Sequence, residues 1–315
     1  MRIVFAGTPA VSIPALSALL GSSHEVVGVI TRPPARQGRS KRLIDSPVAA
    51  WAKEQGLDVL ETSKPGEASA LAWLQASGAQ LGVIVAYGSL LKRPVLDVFA
   101  HGWINLHFSA LPKLRGAAPV QTAILEQHGD IGTTVFQLDE GMDSGPILSI
   151  EDHYLDPTWT SGEALDHLAL GSSAQLVSAV DAIADGSAHF RPQDVGPDDI
   201  NVTVAPKLER KDGFIDFASE PGPTAARTRA VTPTPGAWTS LGGQVMKLGP
   251  VTVVDIDRSL DPGEIYAEKN RVLVGCSGGV VQLGQVAPAG KSWMDAAAWA
   301  RGARLAPGQR LGTSE

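Results

Sequence analysis

Short apolar runs alternate with segments of helical period through about residue 188. IVFAG, VVGVI, LDVL, LGVIVAYG and INLHF read as strands, and PALSALL, PVAAWAKEQ, ASALAWLQA and PVQTAILEQ as helices. Strands spaced by helical segments of this length are the pattern of βαβ units, so an α/β, Rossmann-like parallel sheet with helices on both faces is expected. Pro47 and Pro119 stand where helices begin, since proline in a first turn removes an N–H that has no partner there anyway. Gly56 follows its helix as a C-terminal glycine should. A long helical stretch, TSGEALDHLALGSSAQLVSAVDAIADG, closes the region, and Ser161 with Ala164 three residues on makes only half a capping box.

The pattern then changes. From His189 to Ala205 prolines and acids are scattered without a period, which reads as a linker. Beyond Pro206, GFIDF, AWTSLGG, QVMKLG, VTVVD, RVLVGC and VVQLGQV are short strands cut by Gly, Pro and Asp, the signature of a small β-barrel or sandwich, OB-like in size. The expected organisation is a domain over 1–188, a linker over 189–205 and a C-terminal β-barrel over 206–315.

With 315 residues, 43% of them apolar, the chain exceeds what one core usually serves. Its single cysteine, Cys276, forms no internal disulfide, and MRIVFAG enters a strand-like run directly, so a cytoplasmic protein is expected. No segment approaches the roughly 20 apolar residues of a membrane span. A net charge of −7 argues against a protein that coats nucleic acid. Charge is unevenly spread, however: residues 1–200 carry 13 Lys and Arg against 22 Asp and Glu, and residues 201–315 carry 13 against 11. The C-terminal part is the better partner for an anion.

The strand INLHF changes the picture most. Buried central strands are normally apolar on both faces, yet here Asn105, His107 and Ser109 alternate with Ile104, Leu106 and Phe108. The chain leaves the sheet through Ala110, Leu111 and Pro112, which puts these polar groups at the carboxyl end of a strand, where open α/β sheets bind ligands. In QLDEGMDSGPIL, Asp139, Glu140 and Asp143 crowd a turn that Gly141 and Gly145 permit. If Asp143 reaches His107, the carboxylate orients the ring and favours its protonated form. No G-x-G-x-x-G, Walker A, H-E-x-x-H or paired Cys/His spacing occurs, so neither a nucleotide nor a metal is expected. The segment TRPPARQGRSKRLID carries Arg32, Arg36, Arg39, Lys41 and Arg42 with no acid before Asp45, and it is longer than an α/β connection needs.

N-L-H-x-S-A-L-P-K-x-R-G-A-A-P followed by D-x-G-x-D-S-G resembles the signature of the folate-dependent formyltransferase family. With the opening IVFAGTP, the turn VAYG and the ending PAGKSWMDAAAWARG, the resemblance spans essentially the whole chain and is nearest to the branch acting on initiator methionyl-tRNA. It implies formyl transfer from 10-formyltetrahydrofolate to the methionine amino group, with Asn105, His107 and Asp143 as the catalytic set. It further implies folate contacts at Ser109, Ala110, Leu111, Pro112, Val85, Tyr87, Gly88 and Asp139, and no metal. For the tRNA it points to Arg39, Lys41 and Arg42 in the basic loop and to Lys207 in the C-terminal domain, in a protein expected to be a monomer. Ala110 departs from the family's usual S-L-L-P. Two readings with the same three residues stay open at this point: a sugar-nucleotide amine as acceptor, or water in a hydrolase.

Overall fold

The computed structural model describes residues 1–37, 42–193, 201–306 and 308–312. It falls into two compact units, one of Met1–Gly116, Ile131–His153 and Leu165–Val204, the other of Ala117–Asp130, Tyr154–Ala164 and Ala205–Glu315.

The first unit is built on a seven-stranded sheet of β1 (Arg2–Gly7), β2 (Glu25–Thr31), β3 (Val59–Glu61), β4 (Leu81–Val85), β5 (Trp103–His107), β6 (Asp130–Gln137) and β7 (Ile147–Tyr154), in the order β7-β6-β5-β4-β1-β2-β3. β5, β4, β1, β2 and β3 run parallel, as the alternating pattern predicts. β6 pairs antiparallel with β5, so the sheet is mixed rather than wholly parallel. β1 and β4 are buried along almost their full length, as strands covered on both faces must be. The strand order reverses between β1 and β4, which places the ligand crevice at the carboxyl ends of the strands there.

Gly82 of β4 sits opposite Trp103 of β5, and a Cβ at Gly82 would fall 2.1 Å from the indole ring. Glycine therefore lets the largest side chain of this core lie flat on the neighbouring strand. The Trp103 indole is anchored by an Nε1–H bond to the Val95 carbonyl at 2.7 Å.

The helices α1 (Ile13–Leu20), α2 (Pro47–Glu54) and α3 (Ala68–Ala76) fall where the apolar periods and prolines place them, and a further short helix, α4 (Arg93–Leu96), is not expected from the sequence. Gly56 lies just past α2 at φ +72°. After α5 (Pro119–Leu125), the long helical stretch is two helices, α6 (Ser161–Gly171) and α7 (Ser173–Asp185). At the break the hydroxyls of Ser172 and Ser173 bond back to the Leu168 and Ala169 carbonyls at 2.6 and 2.7 Å, a local pairing that disturbs the helical ladder. The capping box is also one residue earlier than expected: Thr160 and Glu163 exchange bonds, with Glu163 Oε2 accepting from the Thr160 N–H at 2.8 Å.

The second unit holds two four-stranded antiparallel sheets around one apolar core. After α8 (Pro221–Ala230), its strands are β8 (Ala237–Leu241), β9 (Gln244–Leu248), β10 (Val251–Val254), β11 (Ile265–Ala267), β12 (Val272–Cys276), β13 (Gly279–Leu283), β14 (Gln285–Pro288) and β15 (Met294–Asp295). The sheets are β8-β9-β14-β15 and β10-β13-β12-β11, and Met246, Leu248, Val272, Val274, Val281 and Val286 meet between them. α9 (Ala296–Ala303) closes the core with Trp299. GFIDF, expected as a strand, makes only an isolated bridge from Phe214 to Trp238, because a 3₁₀ turn occupies Arg210–Gly213. No helix among the described residues is long and apolar enough to cross a membrane.

Candidate active site

β5 carries Asn105 and His107 two residues apart near its carboxyl end. The His107 side chain is only 7% exposed, and its Nε2 lies 3.0 Å from the Leu114 carbonyl. A carbonyl can only accept, so Nε2 carries the proton and the neutral ring leaves Nδ1 bare. Nδ1 faces Asp143 Oδ2 at 3.9 Å, too far for a direct hydrogen bond and close enough for strong Coulomb coupling. The expected contact across 36 residues is thus made. Its effect on the ring is outweighed, because burial pushes the His107 pKa below its ordinary 6.5 while Asp143 and the Leu114 carbonyl pull it back up. The resting ring is neutral at neutral pH. Asn105 Oδ1 is buried and has no hydrogen-bond partner among the described residues.

Asp143 is held in the left-handed region at φ +50°, a conformation uncommon for a non-glycine residue. Its Oδ2 accepts from the Gly116 N–H at 2.7 Å. Gln193 clamps the same turn: its amide Nε2 donates to the carbonyls of Asp143 and Gly145 at 2.9 and 2.8 Å, and its Oε1 accepts from Arg115. At Gly145 a Cβ would lie 1.8 Å from the Gln137 carbonyl oxygen, so no other residue closes this turn without moving backbone. Gln193 belongs to the stretch read as a linker. Nothing in the aperiodic FRPQDV marks it, and only the fold brings it to the site.

The residues assigned to folate fall into two braced loops and the acidic turn. Ser109 lies beyond the end of β5, and its hydroxyl donates to the Lys113 carbonyl at 2.6 Å. Thr134 on β6 ties the Ser109–Pro112 loop twice, donating to the Ser109 carbonyl and accepting from the Leu111 N–H. Gly132 of β6 gives Ala110 its room, since a Cβ there would lie 2.6 Å from the Ala110 Cβ. In the second loop the Val85 carbonyl accepts from Ser12, the Tyr87 carbonyl from Thr8 and the Gly88 carbonyl from Arg32. Ala86 and Gly88 both take positive φ, at +50° and +78°. The Tyr87 hydroxyl is turned inward to the Thr62 carbonyl, and burial pushes its pKa up to about 12. Asp139 is exposed and accepts from Ser144 and from the Gly141 N–H. A cavity of about 710 Å³ is bordered by Ala110, Leu111, Pro112 and Gln193, but by neither His107 nor Asp143.

In the basic segment, Ala35–Gln37 pairs antiparallel with Arg42–Ile44, so the long connection folds as a hairpin. Arg42 is exposed beside Leu43 and Ile44. Arg39 and Lys41 lie outside the described residues. Lys207, in the second unit, is exposed. Among the described residues, no three His, Cys, Asp or Glu side chains gather as a metal site would require.

The mixed sheet with a polar strand end, followed by a small β unit, defines a formyl transferase: that family matches residues 1–180, and its C-terminal domain matches residues 207–304. The chain belongs to this family. Methionyl-tRNA formyltransferase of Salinispora arenicola (strain CNS-205) is 46% identical over 313 residues, which cover 99% of this chain and 100% of that protein. Two solved structures share the fold. HypX from Aquifex aeolicus in complex with tetrahydrofolic acid superposes with a TM-score of 0.69 at 16% identity, over 100% of this chain and 51% of that one. The N-formyltransferase from Helicobacter canadensis, in complex with folinic acid and dTDP-3-aminofucose, gives 0.64 at 15% identity, over 90% of this chain and 98% of that one.

Proposed function

We infer that the chain transfers a formyl group from 10-formyltetrahydrofolate to the amino group of methionine on initiator methionyl-tRNA, in the cytoplasm, for translation initiation. The full-length likeness to a methionyl-tRNA formyltransferase carries the choice of acceptor. The site geometry supports the chemistry. Asn105 presents a buried amide oxygen that is uncommitted among the described residues, at a strand end where a ligand is expected. Such an unpaired buried group is costly unless a substrate completes it. The bound folate supplies the formyl carbon.

An amine attacking that carbon must be neutral and must then lose a proton. We assign its removal to His107, whose bare Nδ1 is the ring's free acceptor. The imidazolium so formed, stabilised on one side by Asp143 and on the other by the Leu114 carbonyl, returns this proton to the folate nitrogen as its bond to the formyl carbon breaks and tetrahydrofolate leaves. The Asn105 side-chain N–H is assigned to the negative charge developing on the formyl oxygen, a role worth about a hundredfold or more in acyl transfer, and its unpaired Oδ1 to an N–H of the attacking amine. Asp143 is kept in place by Gly116 and Gln193.

The Ser109–Pro112 loop, the Val85–Gly88 turn and Asp139 are assigned to the folate. Gly88, at positive φ, allows close approach, and the bracing by Thr134, Ser12 and Thr8 supports preorganisation of both loops. Arg39, Lys41 and Arg42 are assigned to the acceptor end of the tRNA, and Lys207, within the C-terminal tRNA-binding domain, to its phosphates.

The test is formyl transfer from 10-formyltetrahydrofolate to charged initiator tRNA, run beside uncharged tRNA, a sugar-nucleotide amine and water. Product on the charged tRNA alone is expected. Turnover on the sugar amine instead would keep the site chemistry and remove the tRNA assignment.

A further inference from the structure

The outer face of β8, β9 and β14 carries groups that the reaction does not use. Along β8 and β9, Ala237, Thr239, Met246 and Leu248 turn into the core, so the period of two sends Trp238, Ser240, Val245 and Lys247 outward. Trp238, Lys247 and Ala287 stand in one row across the three strands. Trp293, 52% exposed, borders the same cavity, whose volume is about 600 Å³. That size suits a small planar ligand with an attached polar group.

The floor of the cavity is prearranged. The Arg210 guanidinium lies over the Trp238 ring, 5.3 Å from its centroid, and the Trp238 indole N–H donates to the Arg210 carbonyl at 2.8 Å. Phe214 supports the same ring at a centroid distance of 4.7 Å. The adjacent Lys211 is paired with Glu209, whereas Arg210 and Lys247 form no ion pair among the described residues. Among the described residues, no carboxylate lines the cavity. Exposed indole beside unneutralised cations, with no acid, fits a planar base attached to a phosphate far better than it fits an acidic or purely apolar partner.

We propose that this face is a binding site for an unpaired nucleotide of the tRNA, its base stacked on Trp293 and its phosphate met by Lys247 and Arg210. The proposal rests on the tRNA reading above and adds a contact that recognises single-stranded rather than duplex RNA.

The test uses the full chain with a short fluorescent oligouridylate, an RNA duplex of the same length, and charged initiator tRNA. Trp293→Ala is expected to weaken oligouridylate binding about tenfold, within the usual range for losing one base stack, and to raise the tRNA KM with little change in kcat. Trp293→Phe keeps a ring and should recover most of the binding. Lys247→Ala should lower the salt slope of binding by about one. If the wild-type chain formylates the tRNA but Trp293→Ala and Lys247→Ala bind oligouridylate and tRNA as it does, the groove assignment is wrong and the activity stands. Equal or tighter binding of the duplex by the wild-type chain would also overturn it. Failure of the wild-type chain to formylate charged tRNA would instead remove the reading on which the groove's ligand depends.

Discussion

Asn105 and His107 share a strand but stand in different situations, and their substitutions should read out differently. Asn105 Oδ1 makes no hydrogen bond among the described residues, so Asn105→Ala removes no internal bond of that oxygen there. It should lower kcat/KM about a hundredfold with the melting temperature little changed. A large loss of stability would mean that the amide is structural. His107 is tuned by opposed influences, burial pushing its pKa down and the Asp143 carboxylate pulling it up. Its pKa in the folded state lies below the ordinary 6.5, so the unfolded chain takes this proton first. The ring's contribution to stability is therefore present above pH 6.5 and is lost as pH falls through the folded value. Followed by NMR, the His107 ring should titrate below pH 6.5, and lower still in Asp143→Asn, where the carboxylate's pull is gone. Gln193→Ala should move it the same way by releasing the Asp143 turn. A His107 midpoint that rises in both variants would exclude Asp143 as the ring's electrostatic partner.

At the scale of elements, the start of α6 depends on a reciprocal pair, Thr160 with Glu163. Thr160→Ala removes the cap's side-chain oxygen and should cost about 1 kcal/mol, seen as a melting temperature lower by roughly 2–4 °C. Glu163→Ala removes the other half of the pair and should cost a similar amount, and a melting temperature unchanged in both variants would remove the cap assignment. The cap at Thr160 rather than Ser161 illustrates what sequence could and could not carry. β1, β2 and β4 were legible because covered strands must be apolar, β5 because Ile104, Leu106 and Phe108 recur with a period of two, and α1 and α3 because their periods and flanking breakers agree. β6 was not legible, since DIGTTVFQ places two threonines at fully buried positions. Each is satisfied by a partner distant in sequence, Thr133 by Gln175 and Thr134 by Ser109. The same holds at the site. Asn105, His107 and Asp143 announce themselves as polar groups out of pattern, while Thr134 and Gln193 do their positioning through bonds distant in sequence and Leu114 through its backbone carbonyl, none of which leaves a local trace.

For the whole molecule, the decisive quantity is how an acidic protein holds a polyanion. A net charge of −7 opposes tRNA at long range, yet the C-terminal 115 residues are net positive and the hairpin connection adds an exposed Arg36 and Arg42. Binding must then come from a few close contacts between cations and phosphates, each releasing counterions, while repulsion from the acidic remainder is itself screened by salt. Because the released counterions enter as a power of salt concentration, the contact contribution dominates above about 0.1 M. The KM for charged tRNA should therefore rise steeply between 50 and 200 mM potassium chloride, about three- to fourfold for each phosphate contacted. The KM for the folate, which is assigned above to the Ser109–Pro112 loop and the Val85–Gly88 turn rather than to a cationic surface, should change far less over the same range. Reversing Arg42 and Lys207 to glutamate should flatten and displace the first curve and leave the second in place. If the two Michaelis constants instead rose in parallel, salt would be acting on the fold or the shared site, and the division of labour between a catalytic crevice and separate cationic surfaces would have to be given up.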